Sequence, residues 1–386
     1  MKLTQRDQAY IWHPLTQHQT ARAPVGIVKA SGSVLIDEHG NSYIDGIASW
    51  YTAMFGHCNP YITQAMTKQM QTLDFVMFSG FTHEPAIELS EKLVAILPPN
   101  QQKVFFNDNG STAVEAAIKM AIQYYHNKSQ KRDTLIAFED GFHGDTFGAM
   151  SASGLSSYNG PFEDFLLKVK RIPTPQDHNL EEVLALLTTI LEQNSCAGFI
   201  FEPLVQGAAG MKFHSAKGLD ALIAKCKAHD VLCIADEIMT GFGKTGTNFA
   251  VEQLQQPPDI MCLSKALTAG MFPLSITSCT QEIFDGFLSH QVHKGFFHAH
   301  TYSAHPVGCA AAIASIELLT SPEILKKRAY IASAHSVFAE KIQQHPAVKQ
   351  VRCKGVILAI DLAIEMQRYG NLRDELYQFF MDRGVA

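Results

Sequence analysis

Two residues could do chemistry that the rest of the chain does not offer: Asp236, at the end of an apolar run, and Lys265, inside the otherwise apolar run 261–269. A lysine amine condenses with an aldehyde, and a carboxylate keeps a pyridine nitrogen protonated so that the ring can take up carbanion electrons. An amine and a carboxylate at two strand ends are the pair that pyridoxal phosphate chemistry requires. A lysine buried among apolar residues is costly unless paired or modified, and desolvation lowers its pKa, which suits a nucleophilic amine. Asp236 could instead cap the following helix or bind a metal, but as a buried carboxylate it needs a cationic partner. Glu237 points to the opposite face if the strand persists, so the two acids are not expected to share a role.

Further candidates cluster at segment junctions. Asn107-Asp-Asn-Gly-Ser-Thr112 lies between a strand and a helix, where Gly110 permits a tight turn, Ser111 offers a hydroxyl and the N–H groups of the helix start suit a phosphate. An ordinary N-cap accounts for the same residues. In Gly141-Phe-His-Gly-Asp-Thr-Phe147, Phe142 could lie flat on a heteroaromatic ring, or be a core aromatic under a loop. His290, His293, His298, His300 and His305 crowd one segment, but their spacing is not HExxH and no matched cysteine or carboxylate set accompanies them. A surface or subunit interface explains them better than a metal does.

These residues need elements to position them. A turn at 37–40 between runs 34–36 and 42–44 predicts a hairpin. Strands are expected at 103–106, 134–138, 198–201, 231–235 and 260–263, and helices at 87–97, 112–125 and 219–229. Helices and strands in alternation argue for a mainly parallel, helix-covered sheet that gathers ligands at its strands' carboxyl ends. Beyond residue 306 come helices at 307–319 and 324–344, strands at 348–351 and 356–362 and a helix at 372–383, which read as a smaller α+β unit joined by the N-terminal 45 or so residues.

The bulk composition narrows the partners. The 386 residues are 46% hydrophobic and 18% charged with net charge -6, so no basic excess drives nucleic-acid binding. The first residues lack the apolar core of a signal peptide and no run is long enough for a membrane span, so the expected address is cytoplasmic. The eight cysteines include no CxxC pair. No GxGxxG follows the first strand, which disfavours dinucleotide binding.

Taken with Ile11-Trp-His-Pro14, Asp45-Gly-Ile-Ala-Ser-Trp50, Thr82-His-Glu-Pro85, Phe142-His-Gly-Asp-Thr-Phe-Gly-Ala-Met150 and Glu202-Pro-Leu-Val-Gln-Gly207, the chain resembles the class III, fold type I pyridoxal phosphate aminotransferases. The resemblance implies an α/β fold with a mainly parallel seven-stranded sheet, divided into 1–47, the N-terminal part of a small domain; 48–312, the cofactor domain; and 313–386, the rest of a small α+β domain. It implies Lys265, Asp236 and Phe142 as catalytic residues, and Gly110, Ser111, His143, Glu202 and a Thr301 from the other subunit as cofactor contacts. Trp50, Tyr51, Asp145, Ala299 and Lys244 would line the substrate pocket of a homodimer with shared active sites. No metal is implied. The HGDTFGAM run, the IWHP start and Met239 resemble the branch that aminates 8-amino-7-oxononanoate in biotin biosynthesis, with S-adenosylmethionine or lysine as donor.

Four positions depart from the family: Leu15 for an aromatic, Tyr51 for tryptophan, Ala299 for glycine and Lys244 for the arginine of GFGRTG, a point charge for a planar fork. Gly384-Val-Ala386 falls where the family continues into a segment bearing a carboxylate-binding arginine, so either the C-terminal domain is truncated or that anchor comes from elsewhere. Two other readings stand beside the leading one: a different ω-amino acid or diamine aminotransferase, and a catalytically silent cofactor-binding dimer.

Overall fold

The computed structural model describes residues 3–155, 159–364 and 371–386. Near the N-terminus, β1 (Ile27–Ser31), β2 (Val34–Asp37) and β3 (Ser42–Ile44) form an antiparallel sheet, one strand more than the expected hairpin. The large sheet holds β4 (Lys103–Asn107), β5 (Thr134–Phe138), β6 (Val169–Ile172) and β7 (Cys196–Phe201). After the small pair β8 (Val205–Gln206) and β9 (Lys212–Phe213), it gains β10 (Leu232–Asp236), β11 (Ile260–Leu263) and β12 (Ser275–Cys279). Its order is β4-β12-β11-β10-β7-β5-β6, and β12 alone runs against its neighbours. The mainly parallel seven-stranded sheet is thus the observed one. A last hairpin, β13 (Val348–Lys354) and β14 (Ile357–Leu362), lies in the C-terminal part.

Period-two alternation fills both faces of the sheet. Along β10, Cys233 and Ala235 enter one apolar cluster with Leu89, Leu93, Leu187, Leu222 and Leu319, while Leu232 and Ile234 enter the other. That second cluster is capped by the helix Gly110–Asn127, whose Ala113, Val114, Ala117, Ile118 and Ala121 are all but inaccessible. Small side chains at helical spacing let this helix lie close on the sheet, and its first turn is carried to the carboxyl ends of the strands.

The helix Pro306–Leu319 runs unbroken across residue 312, the junction that the sequence reading places there. Ala311 and Ala314 pack with Ile62 and Ala269, and Ser315 Oγ donates to the Ala266 carbonyl at 3.0 Å. This helix therefore supports the turn that carries Lys265. The last residues pair with the end of β3: Ala386 N–H donates to Ile44 O (2.8 Å), and Ile44 N–H to Gly384 O (2.7 Å).

The structure adds elements that the sequence reading lacks: β1, β6, β12 and the helices Leu3–Tyr10, Pro60–Thr72 and Leu180–Gln193. No single described helix is long and apolar enough to cross a membrane.

Phe138 lies fully buried beneath the loop that follows β5, edge-on to Phe199 at 5.4 Å. Phe138→Ala is expected to lower unfolding stability by about 3–5 kcal/mol in a denaturant titration, the range for an aromatic deleted from a packed core.

Candidate active site

Register brings the principal residues together. Asp236 pairs with Cys262 and Ala235 with Phe201, so Asp236 and Glu202 sit level at the ends of adjacent parallel strands, and Lys265 follows just beyond the end of the third. Asp236 is buried; its Oδ2 lies 2.7 Å from His143 Nδ1 and its Oδ1 accepts the Ile238 N–H at 3.1 Å. A carboxylate only accepts, so the imidazole proton sits on Nδ1. Glu202, also buried, accepts the N–H groups of Phe142 (3.0 Å) and Gly207 (2.9 Å). Burial pushes its carboxyl up to about 7, with His143 and the two N–H donors opposing and Asp236 assisting.

Lys265 has φ 48°, in the left-handed region that a side chain disfavours, and opens the 3₁₀ turn Lys265–Thr268. Ser264 Oγ ties the turn to the Leu274 carbonyl at 3.0 Å. Burial pulls the Lys265 amine below its ordinary pKa, against the attraction of Asp236 and Glu202. Its Nζ lies 5.6 Å from the Tyr51 ring centre. The cleft beside it is lined by Thr52, Asp108, Asn109, Gly110 and Gly270 among others, so the strand–helix turn and the lysine share one cavity. The capping box there pairs Asn109 with Thr112.

Phe142 is 43% exposed on a loop fastened from several sides. His143 N–H donates to Ser153 Oγ (2.9 Å) and Asp145 N–H to Ser111 Oγ (3.3 Å). Glu115 Oε1 accepts Thr146 Oγ (2.5 Å), Gly148 N–H (2.7 Å) and Ala149 N–H (3.1 Å). Gly144, at φ 129°, lies so close to Ser111 that a Cβ there would overlap the hydroxyl.

Lys244 is 6% exposed, and its Nζ has no hydrogen-bond partner among the described residues. Burial, then Lys265, brings its amine down to about 7, against Glu237. Glu237 faces away from Asp236, accepting Val251 N–H (2.8 Å) and Thr240 Oγ (2.6 Å), and burial lifts its carboxyl to about 7.

Other predicted residues stay apart from this cluster. Trp50 and the Asp145 side chain are exposed, as are Ala299 and Thr301, and none of these four borders the Lys265 cleft within the chain. His298 contacts Lys119 (3.0 Å) and His300 (3.2 Å), His305 caps the helix Pro306–Leu319, and among the described residues no three His, Cys, Asp or Glu side chains are grouped to hold a metal.

The aminotransferase class-III family model matches residues 15–386. The chain belongs to the class III aminotransferases. This aminotransferase is 44% identical over 368 residues to an adenosylmethionine-8-amino-7-oxononanoate aminotransferase of Synechococcus elongatus, covering 93% of this chain and 86% of that one. It is 37% identical to the Staphylococcus aureus protein of that name, over 94% and 84% of the two chains. Among solved structures, that of the Methanocaldococcus jannaschii protein of the same name superposes with TM-score 0.93 at 33% identity, over 99% of this chain and 90% of that one. An omega transaminase of Pseudomonas jessenii in complex with PMP gives 0.92 at 27%, over 100% and 90%.

The sequence reading of this aminotransferase gives no role to Glu115 or Ser153. Glu115 acts on a loop remote from it in sequence, and Ser153 is a routine residue type that draws no notice. The one signal for Glu115 is an acid near a helix start, aimed at the following segment.

Lys244 yields a pH test. In the folded chain it loses its proton near pH 7, and in the unfolded chain only near 10.5, so across that window the unfolded chain binds more protons and stability rises with pH. In cofactor-free protein, Lys244→Met is expected to flatten the rise in melting temperature between pH 7 and pH 10.5; an unchanged slope means that the amine titrates normally.

Proposed function

We propose that this aminotransferase converts 8-amino-7-oxononanoate to 7,8-diaminononanoate in biotin biosynthesis, with pyridoxal 5'-phosphate as cofactor and S-adenosylmethionine as amino donor. The observation that carries the reading is the buried set Asp236, His143 and Glu202 with the partly buried Lys265, gathered where adjacent strands end. The relatives that bear that enzyme's name, at up to 44% identity, support the substrate.

The residues fit the cofactor. Asp236, fixed by His143 Nδ1–H and the Ile238 N–H, presents a buried carboxylate suited to a pyridinium, and Lys265 presents a depressed amine within that carboxylate's electrostatic reach. Gly110 and Ser111, at the start of the helix Gly110–Asn127, would hold the phosphate. Phe142 would cover one ring face, on a loop that Glu202 and Glu115 hold. Pyridoxal phosphate, when bound, supplies the aldehyde that takes up the donor nitrogen and the ring that stabilises the carbanion.

The chain's own groups then bind and move protons. Lys265 Nζ would hold and move the proton at the donor carbon, and its lowered pKa would leave it free to accept one. Lys244 would meet the substrate carboxylate, and its orphaned Nζ is the buried cation that such an anion satisfies. Tyr51, Trp50, Asp145 and Ala299 would line the pocket, with Thr301 reaching the phosphate of a second subunit in a cytoplasmic homodimer. The exposure of Ala299 and Thr301 in a single chain supports that arrangement.

A second reading is an ω-amino acid or amine aminotransferase, favoured by the likeness to the Pseudomonas jessenii transaminase. The acceptor decides between them: amination of 8-amino-7-oxononanoate is expected, and turnover only with pyruvate or 2-oxoglutarate would favour the second. Lys265→Ala is expected to remove the absorbance band of the lysine-bound cofactor and to lower kcat by at least about four orders of magnitude, as for loss of an essential nucleophile.

A further inference from the structure

Ala48, Ser49, Trp50 and Tyr51 have φ of 47°, 45°, 58° and 67°, and none is glycine. Tyr51 N–H donates to Ile47 O and Thr52 N–H to Ala48 O, both at 2.9 Å, so the segment is one turn of left-handed helix. In that conformation each Cβ crowds the carbonyl that follows, and the turn persists only if its surroundings fix it.

Asp45 supplies the fixing. Its carboxylate accepts Ser49 N–H (3.0 Å), Ser49 Oγ–H (2.7 Å) and His57 Nε2 (2.8 Å). Burial alone would raise this carboxyl; the bonds from Ser49 and His57 outweigh it and hold the pKa below the ordinary carboxylate value. Both partners are pinned to the hairpin that precedes them, Asp45 N–H on Ser33 O (2.8 Å) and His57 N–H on Gly32 O (2.7 Å). The turn delivers Tyr51 to Lys265, and its next residue, Thr52, lies so near Gly270 that a Cβ there would come within 2.7 Å of Thr52 Oγ.

We propose that Asp45 and His57 are positioning residues: together they hold the left-handed turn that seats Tyr51 over Lys265, and so set one wall of the substrate pocket without touching substrate. The proposal rests on the reading of Tyr51 as pocket lining. It makes the N-terminal hairpin a determinant of the site.

The chain's two tryptophans make the turn observable. Trp12 is 89% exposed and takes no part in the clamp's hydrogen bonds, and Trp12→Phe leaves Trp50 as the only indole. In that background, with cofactor bound, His57→Leu removes the donor to Asp45 while His57→Gln keeps one. His57→Leu is expected to change acrylamide quenching of Trp50 about twofold and to raise KM for the acceptor about tenfold with kcat within about threefold, because the wall acts on binding. His57→Gln is expected to restore most of both, with cofactor absorbance unchanged throughout. Asp45→Asn, close in shape, is expected to give the same pattern and carries the test if His57→Leu does not fold. Parent-like quenching and KM in folded His57→Leu or Asp45→Asn overturn the proposal, as does loss that His57→Gln fails to rescue. If the parent does not turn over 8-amino-7-oxononanoate, the substrate reading fails by itself, and the Trp50 response, read without substrate, still decides the clamp.

Discussion

Two acids and two amines, Asp236, Glu202, Lys244 and the partly buried Lys265, are drawn out of water around neighbouring strand ends and the loops that follow them, and that burial constrains everything around them. A lone buried charge costs several kcal/mol, so groups of this kind must be paired, hydrogen-bonded or neutral. Each finds a different answer. Asp236 has an imidazole N–H and a backbone N–H; Glu202 has two backbone N–H donors and a raised pKa; Lys265 has two carboxylates nearby and a lowered pKa; Lys244 has the Glu237 carboxylate nearby, no hydrogen bond among the described residues and a lowered pKa. The buried amine left without a hydrogen bond, Lys244, is the one whose charge a bound anion would stabilise.

The fold serves this arrangement through register. Parallel pairing of β7, β10 and β11 levels the strand ends, and apolar clusters on both faces keep the sheet rigid beneath them. Longer-range ties then aim the loops. Glu115 reaches the segment after Asp145, Ser315 supports the lysine turn from below, and Asp45 and His57 carry the N-terminal hairpin's position into the pocket wall. Such ties join residues far apart in the chain, so a change at the hairpin or in the helix Pro306–Leu319 acts on the site without entering it.

Much of this was legible in the residues. Strands Thr134–Phe138 and Ile260–Leu263 have the predicted bounds, because uninterrupted apolar runs between turns have few alternatives. Asp236 and Lys265 stood out because a charge in an apolar run demands an explanation. β12, Ser-Ile-Thr-Ser-Cys, escaped for the opposite reason: its polar side chains are buried but satisfied, Ser275 on Asn109 O, Thr277 on Ala113 O and Ser278 on Gln101, and satisfied burial leaves no hydropathy signal. β6 was hidden likewise, since Arg171 spends its donors on the Ser151 and Ser153 carbonyls. The left-handed turn 48–51 could not be read from Ala-Ser-Trp-Tyr, which contains no glycine to announce it.

The central claim is that Lys265 and Asp236 work on one cofactor in an enzyme that passes an amino group to 8-amino-7-oxononanoate. It is tested most directly by a half-reaction on cofactor-loaded protein without acceptor, S-adenosylmethionine being added first and lysine second while the cofactor absorbance is followed. The account predicts that S-adenosylmethionine converts the band of the lysine-bound cofactor to that of the pyridoxamine form, and that 8-amino-7-oxononanoate then restores it. A loaded protein whose band answers to neither donor would contradict the account.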